Sequence, residues 1–238
     1  MPWIQAAVNA HQKLGITVGG MKYAALDPAD TGADRCAFAG RHGILLQHLE
    51  SWSGKTSDIF STTARAMNLC DEHGYPSFYF DGDGLGAGCR GDARQINMQR
   101  EAASRSVIRD IPYRGSAAVY DPNGSLVPGR TNFDFFLNMK SMSWYALRMR
   151  FEATYKAVVL KLPYFADDLI SLDGSLAELP QLMAELSQVT FIRNNVGRVV
   201  INKTPDGCAS PNLGDAVCIC YNPGSRGMES WVRLGLDN

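Results

Sequence analysis

Three aspartates stand where an apolar segment stops or a helix begins. Asp27 closes Met21–Leu26, Asp81 closes Ser77–Phe80, and Asp215 follows Ser210-Pro-Asn-Leu-Gly. Carboxylates at the ends of adjacent strands project to one rim of a sheet, and a helix packed across that rim adds a third. Such a cluster repels itself unless divalent cations neutralise it, and Mg²⁺, which prefers hard oxygen ligands, suits it. Two such ions about 4 Å apart can activate a water and stabilise the leaving oxygen in phosphodiester hydrolysis. An acid at a strand end is equally often a turn former or the cap of the next helix, and spacing alone leaves that choice open.

Other fragments point elsewhere but are incomplete. Gly54-Lys55-Thr56 has the end of a phosphate-binding loop, yet the position five residues before Gly54, where that pattern needs glycine, is Leu49. Residues 51–56 are therefore expected to form a polar loop, and no ATP hydrolysis is expected there. Gly86-Ala-Gly88-Cys-Arg-Gly91 fits a dinucleotide fingerprint, but Asp81 and Asp83 just before it would repel a pyrophosphate. Its glycines are better read as giving the backbone room beside a helix or metal site. Asp30-Thr31-Gly32 resembles an aspartic protease loop, of which two facing copies are needed. Six cysteines without a C-x-x-C pair argue against zinc and fit reduced, mostly buried thiols.

The elements that must carry the acids follow from the apolar pattern. Residues 1–20 read as a lead-in helix and turn. Strands are expected over 21–27, 35–41 and 43–50, an antiparallel meander turning at His42-Gly43, and again over 77–81 and 107–111. Helices are expected over 57–73 with Ser57 as N-cap, from about 91 to 103, over 133–159, and over 175–186 with a bend at Pro180. A hairpin over 189–193 and 198–202 precedes a last helix opened by Ser210-Pro211. This order gives an α/β fold, an RNase H-like mixed sheet flanked by helices, with a doubly wound sheet as the alternative. The 238 residues are read as one domain, with 224–238 as a C-terminal tail. A formal net charge of −1 argues against nonspecific coating of nucleic acid without excluding a nuclease. No apolar run spans a membrane and no leader is evident, so a cytoplasmic setting is expected.

Leu26-Asp27-Pro-Ala, continuing to Gly32-Ala-Asp34-Arg, resembles the first nuclease motif of tailed-phage large terminase subunits. Phe80-Asp81-Gly-Asp83-Gly-Leu-Gly-Ala-Gly88 is similar to their second motif, and Ser210-Pro-Asn-Leu-Gly-Asp215-Ala to their third. Between them, Phe135-Phe-Leu-Asn138-Met-Lys140, Trp144 and Leu147-Arg-Met-Arg150 resemble the family's Asn and Trp before a basic helix. The likeness runs from residue 2 to about residue 222 and is nearest to headful-packaging short-tailed phages.

The resemblance implies an endonuclease that uses two Mg²⁺ or Mn²⁺ ions to cut concatemeric double-stranded viral DNA during packaging, in the cytoplasm of the bacterial host. It assigns the metals to Asp27, Asp81 and Asp215. Asp83 would be an ancillary ligand or base, Lys203 a contact to the scissile phosphate, and Asp34 an outer acid or a plain loop residue. Arg90, Arg94, Lys140, Arg148 and Arg150 are the candidates for DNA phosphate contact. The family's partners would be an N-terminal ATPase domain, which this sequence is expected to lack, the small terminase subunit and the portal. Two other readings remain: an RNase H-like nuclease of the resolvase type, and a noncatalytic docking module whose acids are structural.

Overall fold

A computed structural model describes residues 1–29, 34–56, 58–222 and 224. At its centre is a six-stranded mixed sheet. Strands β1 (Lys22–Asp27), β2 (Arg35–His42) and β3 (Leu45–Ser53) form the expected antiparallel meander. On the other side of β1 lie β4 (Ser77–Asp81) and then β5 (Arg109–Tyr113), both parallel to it. A two-residue strand, β6 (Ser171–Leu172), pairs parallel with β3, so the order is β5-β4-β1-β2-β3-β6. The antiparallel half is what an RNase H-like sheet requires and a doubly wound sheet lacks.

Along β1, β4 and the first part of β2, side chains alternate between the two faces of this sheet. Ala24, Leu26, Phe38, Phe78 and Phe80 face a core built with α3 (Ile59–His73) and α4 (Cys89–Ala102). Ala25, Ala37, Ala39 and Tyr79 face the other way. There they meet α1 (Pro2–Ala7), α6 (Met139–Val158), α7 (Leu179–Gln188) and α8 (Asn212–Cys220). Helix α8, entirely buried from Leu213 onward, lies across β1 and β2.

Several boundaries differ from the sequence reading, each for a physical reason. The lead-in is two short helices, α1 and α2 (Ala10–Lys13), because Asn9 takes a left-handed φ of 51° between them. The expected helix over 133–159 is two: α5 (Asn132–Phe135), then an extended Phe136, then α6, whose N-cap Asn138 accepts a hydrogen bond from the Ser141 amide. Pro180 sits in the first turn of α7, where its missing N–H costs nothing, so it starts the helix rather than bending it. Strand β5 lies two residues later than expected and keeps Pro112 because it is an edge strand. Strand β3 continues through Leu49 to Ser53, and only Gly54–Thr56 form a turn. Helix α3 is capped by Asp58, which accepts from the Ser61 amide; Ser57, the expected cap, lies outside the described residues. So do the Asp30-Thr31-Gly32 stretch and the tail beyond Gly224. The hairpin is β7 (Thr190–Arg193) with β8 (Val199–Asn202). All six cysteines are free and only Cys208 is exposed. No helix among the described residues is long and apolar enough to cross a membrane.

Candidate active site

Strand pairing decides which acids meet. Strands β1 and β4 are parallel neighbours with Ala25 opposite Tyr79 and Leu26 opposite Phe80, so the next step of the ladder sets Asp27 beside Asp81. By the alternation, both belong to the α8 face with Ala25 and Tyr79. Helix α8 packs on that face and carries Asp215 in its first turn, only 8% exposed. The loop after β4 can reach back only because residue 86 is glycine: a Cβ there would lie 1.6 Å from the Asp81 carbonyl oxygen.

The electrostatics follow from this crowding. Burial pushes the Asp27 carboxyl well above the ordinary carboxylate range, and the charges of Asp215 and Asp81 push it further, against the opposing pull of Lys203 and Lys140. Burial also raises Asp81; the Asp83 amide, which donates to Asp81 Oδ1 at 3.0 Å, and Lys140 offset part of this. Asp215 is oriented from both sides. Trp144 Nε1 donates to its Oδ1 at 3.3 Å, and Lys203 Nζ donates to its Oδ2 at 2.5 Å. Burial works against the Lys203 ammonium, but Asp215 and Asp27 outweigh it, and its pKa ends above the usual lysine value.

This donor set fits a hard divalent cation. It consists of carboxylate oxygens that destabilise one another, and among the described residues nothing donates a hydrogen bond to Asp27. Among the described residues no three His, Cys, Asp or Glu side chains close on one point as a finished cage. The acids adjoin, and Lys203 holds one oxygen of Asp215.

The remaining expected site residues divide. Asp83 ties its loop to the segment after β5, accepting from both the amide and the hydroxyl of Ser116 at 2.8 Å. Lys140, expected on DNA, carries a positive charge that favours the ionised forms of Asp27 and Asp81. Arg90 and Arg94 are exposed on α4 and enter no ion pair among the described residues. Arg148 pairs with Glu152 at 3.3 Å and lies over the rings of Trp3 and Tyr145, beside an apolar groove of about 410 Å³. Asp34 is exposed.

Arg150 must be reassigned. It is 6% exposed, donates to the Asp167 and Leu169 carbonyls at 2.9 and 2.7 Å, and lies over the Tyr221 ring. Its guanidinium is spent inside the protein and cannot reach a phosphate. Arg150→Met should lower stability by about 3 kcal/mol, because buried carbonyls lose their donor. The folded fraction should bind DNA like the parent. Denaturant melts beside filter binding check both.

The sequence reading missed other groups. Trp144 stood in a recognised segment without a role. Glu185 on α7, 8% exposed, accepts from the Gly214 amide at 2.9 Å and from Gln181 Nε2 at 2.9 Å. Burial raises its carboxyl, those hydrogen bonds offset part of the rise, and Asp215 adds to it. Arg193 and Arg198, flanking the hairpin turn, lie over Phe135 and Phe133, and Arg130 lies over Phe135 as well. None of the three enters an ion pair among the described residues.

An RNase H-like sheet with three adjoining aspartates at one rim defines a nuclease class, and comparison with known proteins narrows it. No family model matches the chain, and no curated protein does. Among solved structures, the nuclease domain of the large terminase subunit of bacterial virus Sf6 aligns with a TM-score of 0.82 at 35% identity, over 93% of this chain and 96% of that one. A point mutant of that domain with calcium, and one with manganese and beta-thujaplicinol, match with the same TM-score, identity and coverage. The chain belongs to the tailed-phage large terminase subunit family, in which it corresponds to the nuclease domain.

Proposed function

We propose that Asp27, Asp81 and Asp215 hold two divalent ions, Mg²⁺ or Mn²⁺, and that the substrate is concatemeric double-stranded viral DNA, cut during packaging in the host cytoplasm. The β1–β4 register, which sets Asp27 beside Asp81 on the face where α8 brings Asp215, carries this reading. The Sf6 domain is described with calcium and with manganese. Bound here, the ions would supply Lewis acidity and an activated water for phosphodiester hydrolysis.

The chain's own residues do the rest. Trp144 and Lys203 fix the Asp215 carboxylate so that its oxygens are presented in one orientation. Lys203, protonated at Nζ through the neutral range, offers a fixed cation to the phosphate. The Asp83–Ser116 tie holds the loop that follows Asp81. Arg90 and Arg94, with Arg130, Arg193 and Arg198 braced on phenyl rings, would take DNA phosphates. In the whole large subunit the domain would work with an ATPase domain, the small subunit and the portal.

Phosphate contacts carry little sequence information, and no base-reading motif is present among the described elements. Plasmid cutting should therefore yield ends spread over many sequences. Sequencing the ends after partial digestion with Mn²⁺ checks this, and ends confined to one short sequence would contradict it.

A further inference from the structure

Helix α8 delivers Asp215 to the site, yet it has no cap of its own. Its N-cap position is Pro211, which has no side-chain hydrogen bond to offer. The first-turn amides of a helix need acceptors, particularly when buried. Here the Asp215 amide reaches the Pro211 carbonyl at 2.7 Å, while the Gly214 amide is met from another helix by Glu185 Oε2 at 2.9 Å. The other oxygen of Glu185 is held by Gln181, one turn back along α7, also at 2.9 Å. Glu185 is buried, so its carboxylate is fixed at both oxygens by the protein. Gly214 has no spare room either, since a Cβ there would lie 3.0 Å from Trp144, the residue that holds Asp215 Oδ1. The start of α8 is thus clamped between Glu185 and Trp144, one residue from the carboxylate that matters.

We propose that Glu185 is a positioning residue for the metal site: by accepting from the Gly214 amide it sets the height and direction of the α8 start and so the placement of the Asp215 carboxylate. The inference rests on Asp215 being a metal-holding acid, as proposed above. The acceptor oxygen is what matters, so an amide in the same place serves, whereas a side chain that cannot reach Gly214 does not.

The test is Mn²⁺ binding to the DNA-free protein, read by the loss of the free-ion paramagnetic resonance signal, well below the melting temperature of each variant. Glu185→Ala should weaken Mn²⁺ binding tenfold or more, in the range found when outer partners of metal ligands are removed. Glu185→Gln should bind within about threefold of the parent, since its side-chain carbonyl can accept from Gly214. If Glu185→Ala does not fold, Glu185→Asp carries the same expectation, because its acceptor is withdrawn by one methylene. Parent-like Mn²⁺ binding in the folded Ala or Asp variant would overturn the proposal, even with a lowered melting temperature. So would a Gln variant as weak as Ala. Asp215→Asn, run in parallel, separates the two levels. If it binds like the parent, the site reading itself fails; if it loses Mn²⁺ while Glu185→Ala keeps it, only the role of Glu185 fails.

Discussion

Asp81→Asn and Asp215→Asn should each reduce plasmid cleavage by roughly a thousandfold or more while leaving the fold intact. Asparagine keeps the size of the side chain but removes the negative charge and weakens the oxygen as a ligand. A turn former or helix cap would give the opposite pattern, a loss of about 1 kcal/mol in stability with activity largely kept. Asp27→Asn adds a sharper sign. The folded pKa of Asp27 is raised by burial and by its neighbouring acids. The proton it holds stabilises the fold fully below the ordinary carboxylate pKa, and that stability is lost as pH rises through the elevated folded value. Without metal at neutral pH, Asp27 therefore costs stability. Its Asn variant should melt higher than the parent, by about 2–4 °C for each kcal/mol relieved. The difference should shrink as the buffer is acidified. Thermal melts in chelator across pH, beside gel cleavage with Mn²⁺, read both effects.

Lys203→Ala should separate binding from chemistry. The Lys203 ammonium is hydrogen-bonded to Oδ2 of Asp215, one of the acids that would hold the metal. Removing it takes a competing cation from the site, so Mn²⁺ should bind several times more tightly. Cleavage should nonetheless fall by about a hundredfold, because the phosphate loses a fixed positive charge. Mn²⁺ titration of the DNA-free protein and single-turnover cleavage at saturating metal give the two numbers. Weaker binding and unchanged cleavage together would make Lys203 a mere tether for Asp215.

Much of this was legible in the residues. Apolar runs ending in Asp27 and Asp81 announce two strands with acids at their ends, and period-two alternation puts those acids on one face once the strands are neighbours. That they are neighbours is a tertiary fact, which the resemblance supplied and the β1–β4 ladder shows. Arg150 could have been placed correctly from spacing, since Leu147, Arg150, Thr154 and Ala157 recur at helical intervals on the buried stripe of α6. Attention to charge obscured that period. The break at Phe136 was also visible in Asn138-Met-Lys-Ser141, a capping sequence inside the long apolar stretch. The two-residue strand β6 and the Glu185–Gly214 bond carry no local signal. One exists only because β3 offers a free edge, and the other joins residues 29 positions apart on different helices.

The metal requirement of cutting bears most directly on the three acids. Supercoiled plasmid incubated with the protein and Mn²⁺ should pass to open-circular and linear forms, stop doing so when chelator exceeds metal, and resume when Mn²⁺ is restored. Efficient cutting in excess chelator would contradict the assignment of Asp27, Asp81 and Asp215 as the acids that hold catalytic ions.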